Sequence, residues 1–320
     1  MNSTTWRLPD SAEHGENVAP SITSRSFFGR SSPQARDFAI VKLVLPLQTL
    51  DFRGCPLAYR IVGEGPPLVM IQGVAANGTS PNPQIEILKT RYTCLSFDNR
   101  GMGSSQPAGM TLTVEQMAAD ALALMDHAGW TSAHIVGHSL GGLVALQLAL
   151  MAKHRVRSLS LICSFARGAD ALRMTPSLLW IIVRMRLAPR HFRRQAFLEL
   201  VLPTGQSKPF PPDLAQRFSA ILGHDVADIP PLAAQQVAAM HAHDVTSRLR
   251  ELSAIPTLII TGDNDRIARP ASGRAIASGI PGSRYMEIPG ASHAFPILEA
   301  ERCAALVLEH LDYAERKFAG

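Results

Sequence analysis

HIVGHSLGGLVALQ, residues His134–Gln147, sets a serine between two glycines where a short β-branched run gives way to a strongly apolar segment. A membrane span is one reading, because Ile135–Ala152 is nearly apolar throughout and about as long as a bilayer core requires. Gly137, His138, Ser139, Gly141 and Gly142 interrupt that run near its start. A strand, a tight turn and a buried helix explain it better. A sharp strand-to-helix turn strains the backbone of its central residue and crowds the neighbours, so flanking glycines supply room. The helix N-terminus then lies beside the serine, where its free N–H groups favour negative charge. Gly-x-Ser-x-Gly is weak by itself; the strand before it and the helix after it make Ser139 a candidate nucleophile.

The pattern continues outward from this turn. Leu43–Leu50 and Leu57–Val62 read as strands joined at Arg53-Gly54, followed by the turn cluster Gly63–Pro67. Leu68–Ile71, Tyr92–Phe97, Ala133–Val136 and Val156–Cys163 read as further strands. Thr113–His127 has helical spacing, with Asp120 and Asp126 expected on its polar side and Gly129 ending it. Leu140–Lys153 reads as the next helix. Strands alternating with helices, several of them apolar on both faces, predict a parallel sheet covered on each side.

The alternation breaks near Phe165 and resumes at Pro256. The insert between them reads as helical and is punctuated by eight prolines from Pro176 to Pro231. Thr257–Thr261 is then a strand, Pro270–Gly279 a helix and Arg284–Ile288 a strand, with a final helix inside His293–Phe318.

The chain has 320 residues, 46% of them hydrophobic, which suits one large domain or two ordinary ones. A net charge of +5 is mild for this length, and with no zinc-finger spacing or aromatic-basic repeat it does not point to nucleic acid. Cys55, Cys94, Cys163 and Cys303 are too far apart for a paired metal or redox motif. They read as buried reduced thiols, which favours a cytoplasmic setting. Met1–Asp37 lacks the continuous apolar core of a secretory signal, Asp10, Glu13 and Glu16 count against an organelle transit peptide, and residues 1–42 read as a flexible extension. The sequence sets no oligomeric state.

Four segments now resemble one family. Gly137-His138-Ser139-Leu140-Gly141-Gly142 resembles the nucleophile elbow of the α/β-hydrolases. Asp98-Asn99-Arg100-Gly101-Met102-Gly103-Ser104-Ser105 is similar to the family's Asp-x-Arg-Gly-x-Gly-x-Ser loop, Gly262–Pro270 to the segment carrying its acid, and Gly290–His293 to the segment carrying its histidine. The resemblance covers about residues 45 to 315, in the family's order Ser, Asp, His. It implies an α/β-hydrolase fold: a mostly parallel twisted sheet with helices on both faces. The core would be split into residues 43–164 and 246–320 around a helical cap, residues 165–245.

Chemistry asks for the same residues. A serine hydroxyl needs a base, and of the eleven histidines His293 sits in a loop after the last strand, where an imidazole can reach over the sheet edge. His138 neighbours Ser139 and is expected to point away from it. The base needs an orienting carboxylate. Asp263 and Asp265 both follow a strand, and the family's spacing selects Asp265. The resemblance implies oxyanion donors at the backbone of Leu140 and of Val74, in a loop whose Gln72-Gly73 stands where the family more often has His-Gly. It implies no cofactor and no metal, so His241-Ala242-His243-Asp244 reads as structural. Asp98 and Arg100 are expected to fix a loop.

In the insert, the apolar run Ser177–Val183 precedes Arg184, Arg186, Arg190, Arg193 and Arg194, with no acid close by in sequence. One reading is a cationic lid on a membrane surface. The preferred one is an apolar helix face turned to the site, with the arginines in solvent. The function expected is hydrolysis of a small to medium apolar ester or lactone through an acyl-enzyme on Ser139. The alternatives on one scaffold are a C–C bond hydrolase, a perhydrolase, an acyltransferase or a ligand receptor.

Overall fold

The computed structural model describes residues 47–80, 82–107, 112–206 and 208–318. The expected extension, residues 1–42, lies outside them, as does the start of the expected strand Leu43–Leu50. The first described strand, β1, is Gln48–Phe52, and β2 is Cys55–Val62. Between them Arg53 and Gly54 both take positive φ, 48° and 70°, as a two-residue hairpin loop requires. Then come β3 (Pro67–Ile71), α1 (Pro83–Leu88), β4 (Thr93–Phe97) and α2 (Val114–His127). Next are β5 (Ala133–His138), α3 (Leu140–Met151) and β6 (Val156–Ile162). Four insert helices follow, α4 (Pro176–Leu187), α5 (Arg190–Val201), α6 (Pro212–Leu222) and α7 (Ala233–His241). The chain closes with β7 (Thr257–Gly262), α8 (Pro270–Gly279), β8 (Arg284–Ile288), α9 (Phe295–Leu298) and α10 (Ala300–Phe318). The short helix α1 was not expected from the sequence.

The strands form one sheet in the order β1-β2-β4-β3-β5-β6-β7-β8. β2 runs antiparallel to β1 and β4, and every pair from β4 to β8 is parallel. The chain leaves β3 for β4 on one side and returns to β5 on the other. The loops after β3 and β5 therefore part above neighbouring strand ends, the crevice in which open α/β sheets bind ligands.

β7 is buried along its whole length and α3 from Leu140 to Leu150. A helix packed on every side needs no polar face, which is why Leu140–Leu150 reads in sequence like a membrane span. Among the described residues no helix is long and apolar enough to cross a membrane.

α2 corrects the expectation for Asp120. Thr113 caps the helix, accepting from Gln116 N at 3.1 Å, but Asp120 is fully buried. Its carboxylate takes Arg100 Nε at 3.0 Å and Nη2 at 2.6 Å. Arg100 Nη2 also donates to Phe52 O at 3.2 Å, so the pair ties the β1–β2 hairpin to α2. Burial pushes the Asp120 carboxyl up, and the guanidinium beside it opposes that. Breaking such a pair leaves a buried charge uncompensated. Asp120→Ala is expected to cost about 3–5 kcal/mol of stability, read as a lower urea midpoint at an unchanged m-value. Asp98 does fix a loop, its carboxylate accepting from Thr79 N, Thr79 Oγ1 and Ser104 N at 2.8–2.9 Å.

The insert leaves and rejoins the sheet through paired passages. Gly168 N donates to His243 O and Val245 N to Ala166 O, each at 2.9 Å. Its helices share an apolar cluster containing Leu178, Leu198, Phe210 and Phe218, joined by Ala294 from the loop after β8. Ile267, from the loop after β7, packs on the same cluster. The insert thus sits against the loops at the strand ends.

The arginines are not without acids. Arg184 pairs with Glu199, and Arg190 and Arg194 with Asp225. These partners lie 15, 35 and 31 residues away in sequence, beyond what a local scan reveals. Nor does α4 turn its apolar residues wholly inward: Leu179 and Trp180 are exposed.

Candidate active site

Ser139 ends β5 and precedes α3 with φ 56° and ψ −121°, a left-handed conformation that costs a non-glycine residue on the order of 1–3 kcal/mol. Three hydrogen bonds hold it. Its N–H donates to Ile162 O at 3.0 Å, and its carbonyl accepts from Gly142 N at 2.9 Å and Ser164 Oγ at 2.8 Å. The turn also presses α3 onto the end of β3: a Cβ on Gly141 would stand 2.0 Å from Ile71 O. Only glycine admits that approach.

The loop after β3 lies against the serine. A Cβ on Gly73 would be 3.1 Å from Ser139 Cβ and 3.6 Å from its Oγ. Val74 follows in this loop, and Leu140 is the first residue of α3. The sequence does not reveal how the loop is held. Asn99 Nδ2 donates to Gln72 O at 2.8 Å. Buried Gln236, from α7, accepts from Ala75 N at 3.2 Å and donates to Arg100 O at 3.2 Å. His224, also from the insert, bonds Ala75 O at 2.6 Å. Gln236 and Ala75 are 161 residues apart, and no local motif marks such a tie.

His293 and Asp265 come together from the loops after β8 and β7. Both are buried, with His293 Nδ1 2.9 Å from Asp265 Oδ2. The other carboxylate oxygen, Oδ1, accepts from Ile267 N and Ala268 N at 2.8 Å each. A carboxylate only accepts, so Nδ1 is the donor in this contact and Nε2 is the ring nitrogen left to face other groups. Asp263, by contrast, is exposed and accepts from Gly290 N at 2.8 Å, where it pins the turn before the histidine.

His138 does not stand clear of the site. Its ring lies 4.9 Å from that of His293, and its Nε2 is 3.2 Å from His293 O. Since a carbonyl can only accept, Nε2 donates. Burial first, and the His293 imidazole second, push its pKa down to about 3 from 6.5. The unfolded chain therefore binds a proton that the folded chain refuses between those values. Stability should fall as pH drops below about 6.5, with a slope from this residue approaching about 1.4 kcal/mol per pH unit. His138→Gln keeps a donor and cannot titrate. Its urea midpoint should fall less than that of the wild type between pH 7 and 5.

Cys163 lies behind this pair, fully buried, with Sγ 3.7 Å from Ser292 O. Burial and the nearby Asp265 hold its thiol well above the usual range. Among the described residues, ligand-type atoms of His138, Cys163 and His293 lie within 4.8 Å of one another. One ring nitrogen of each histidine is already bonded, His293 Nδ1 to Asp265 and His138 Nε2 to His293 O, and burial keeps the Cys163 thiol protonated. His243 is occupied too, with Nδ1 3.2 Å from Glu115 and Nε2 3.1 Å from Gln147 Oε1.

Comparison with known proteins identifies the fold family. The model of the alpha/beta hydrolase fold family matches residues 66–300. The RutD protein of Azorhizobium caulinodans, named as a carbamate hydrolase, is 29% identical over 249 residues, 75% of this chain and 88% of its own. The crystal structure of the enol-lactonase from Burkholderia xenovorans LB400 superposes with a TM-score of 0.67 at 27% identity, covering 82% of this chain and 99% of that one. A thermophilic esterase from Thermogutta terrifontis gives a TM-score of 0.67 at 26% identity over 84% and 97% of the two chains.

Proposed function

The chain belongs to the alpha/beta hydrolase fold family, and we propose that it is a serine hydrolase that cleaves a small to medium apolar ester or lactone through an acyl-enzyme on Ser139. The observation that carries this reading is the buried His293–Asp265 pair at 2.9 Å, above the same strand ends as a serine held at positive φ. Ser139 Oγ attacks the substrate carbonyl carbon while His293 Nε2 takes its proton. The carbonyl oxygen becomes an oxyanion facing the N–H groups of Leu140 and Val74, with the α3 N-terminus adding its dipole. The C–O bond breaks, and the leaving alkoxide takes the proton from His293. In a lactone the alkoxide stays tethered to the acyl group. Water then repeats the sequence on the acyl-enzyme and releases the acid. Asp265 stabilises the imidazolium at each stage and stays ionised. The insert acts as the cap that selects the substrate. No step calls on a metal or cofactor. The four free, buried cysteines support a reducing, cytoplasmic setting.

A carbamate is the second reading, favoured by the similarity to RutD, since the same serine would attack its carbonyl. A fluorophosphonate probe should label Ser139, found by peptide mapping. A panel of p-nitrophenyl esters graded by chain length, set beside lactones and carbamates, then ranks the substrates by kcat/KM. Labelling elsewhere, or turnover of carbamates alone, would overturn the ester reading.

A further inference from the structure

Helix α4 carries two apolar stripes. At about 100° per residue, Leu178, Ile181, Ile182 and Met185 share the side packed into the insert's own cluster. On the opposite side Pro176, Leu179, Trp180, Val183 and Leu187 fall within an arc of about 100°. Leu179 is 52% exposed, Trp180 62% and Leu187 82%. Met174, just before the helix, and Phe192, in the first turn of α5, are also exposed. A solvated helix face is ordinarily polar, so this stripe has no purpose inside the fold as described.

The charge around it decides the partner. From Ala171 to Leu198 the chain has six arginines and no acid. Arg184 and Arg186 flank the apolar arc, one on each side. Arg184, Arg190 and Arg194 find acids elsewhere in the insert. Arg173 and Arg186, both exposed, have no ion pair among the described residues. A second copy on this face would bring like charges together. An anionic lipid surface takes the apolar stripe into its acyl boundary and meets the flanking guanidiniums at its headgroups, with Trp180 at the depth that indole rings prefer. We propose that the outer face of α4, from Met174 to Leu187, docks on an anionic membrane surface. The proposal stands apart from the assignment of the catalytic residues.

The full chain should co-sediment with vesicles containing phosphatidylglycerol at least about tenfold more strongly than with pure phosphatidylcholine vesicles, as expected for a few basic groups at an anionic surface. Brominated lipid should quench tryptophan emission in the wild type and much less in Trp180→Phe. The double variant Leu179→Ser, Leu187→Ser should lose more than about tenfold in partitioning. Arg186→Gln should lose about fivefold. Neither should change turnover of a soluble ester. Absence of vesicle binding, or binding indifferent to these variants, would overturn the proposal. So would a dimer that the double variant dissociates, which would make a second copy the occupant. Trp180 shielded from acrylamide in the vesicle-free monomer would assign the face to a segment of the chain itself.

Discussion

Ser139→Ala is expected to abolish ester turnover, by roughly 10⁴-fold or more in kcat, while the protein stays folded. The size follows from the role. The oxygen removed is the one that would form the covalent bond, and no neighbouring group stands in for it. Cys163 is buried behind the site, its thiol held protonated by burial and by Asp265. The fold should survive because the strain at this turn resides in the backbone, at φ 56°, and alanine carries the same Cβ as serine. The carbonyl bonds from Gly142 N and Ser164 Oγ do not involve the side chain. Circular dichroism and the urea midpoint should therefore match the wild type while the fluorophosphonate label disappears. A variant that kept near wild-type turnover would remove Ser139 from the mechanism.

The elbow was legible in sequence because its cause is local. The turn needs room within a few residues, and Gly137 and Gly141 declare it. The parallel sheet was legible for a related reason: strands buried on both faces, such as β7, are apolar without alternation. What failed was long-range electrostatics. Asp120 looks like a solvent residue by helical spacing, and only Arg100, arriving from the loop after β4, makes its burial tolerable. The arginines of α4 and α5 likewise looked unpaired because Glu199 and Asp225 reach them only after the insert has folded. The packing of His138 on the histidine loop was not legible, for a geometric reason. Adjacency to Ser139 says where the ring cannot help, but not that it would back onto His293, 155 residues away. Gln236 and His224 hold the loop after β3 from the insert with no motif at all.

Asp265→Asn should cost almost as much as losing the serine, about 10⁴-fold in kcat, for a reason visible in the hydrogen bonds around the carboxylate. Oδ1 accepts from two backbone N–H groups, Ile267 and Ala268, at 2.8 Å each. An asparagine must keep its carbonyl oxygen there, because the amide nitrogen cannot accept. Its NH₂ group is then forced into the place of Oδ2, facing His293 Nδ1. That nitrogen must now accept, so the ring proton moves to Nε2, and the atom that should take the serine proton no longer has a free lone pair. The substitution thus preserves shape while reversing the tautomer, and the urea midpoint should change far less than activity does. Asp263→Asn supplies the control. Its Oδ1 takes Gly290 N at 2.8 Å, a bond that an amide oxygen accepts equally well, so turnover should stay within a few-fold of the wild type. Steady-state kinetics on one ester with both variants ranks the two acids. A larger loss at Asp263 would transfer the orienting role to it and leave the 2.9 Å contact between His293 and Asp265 as structure alone.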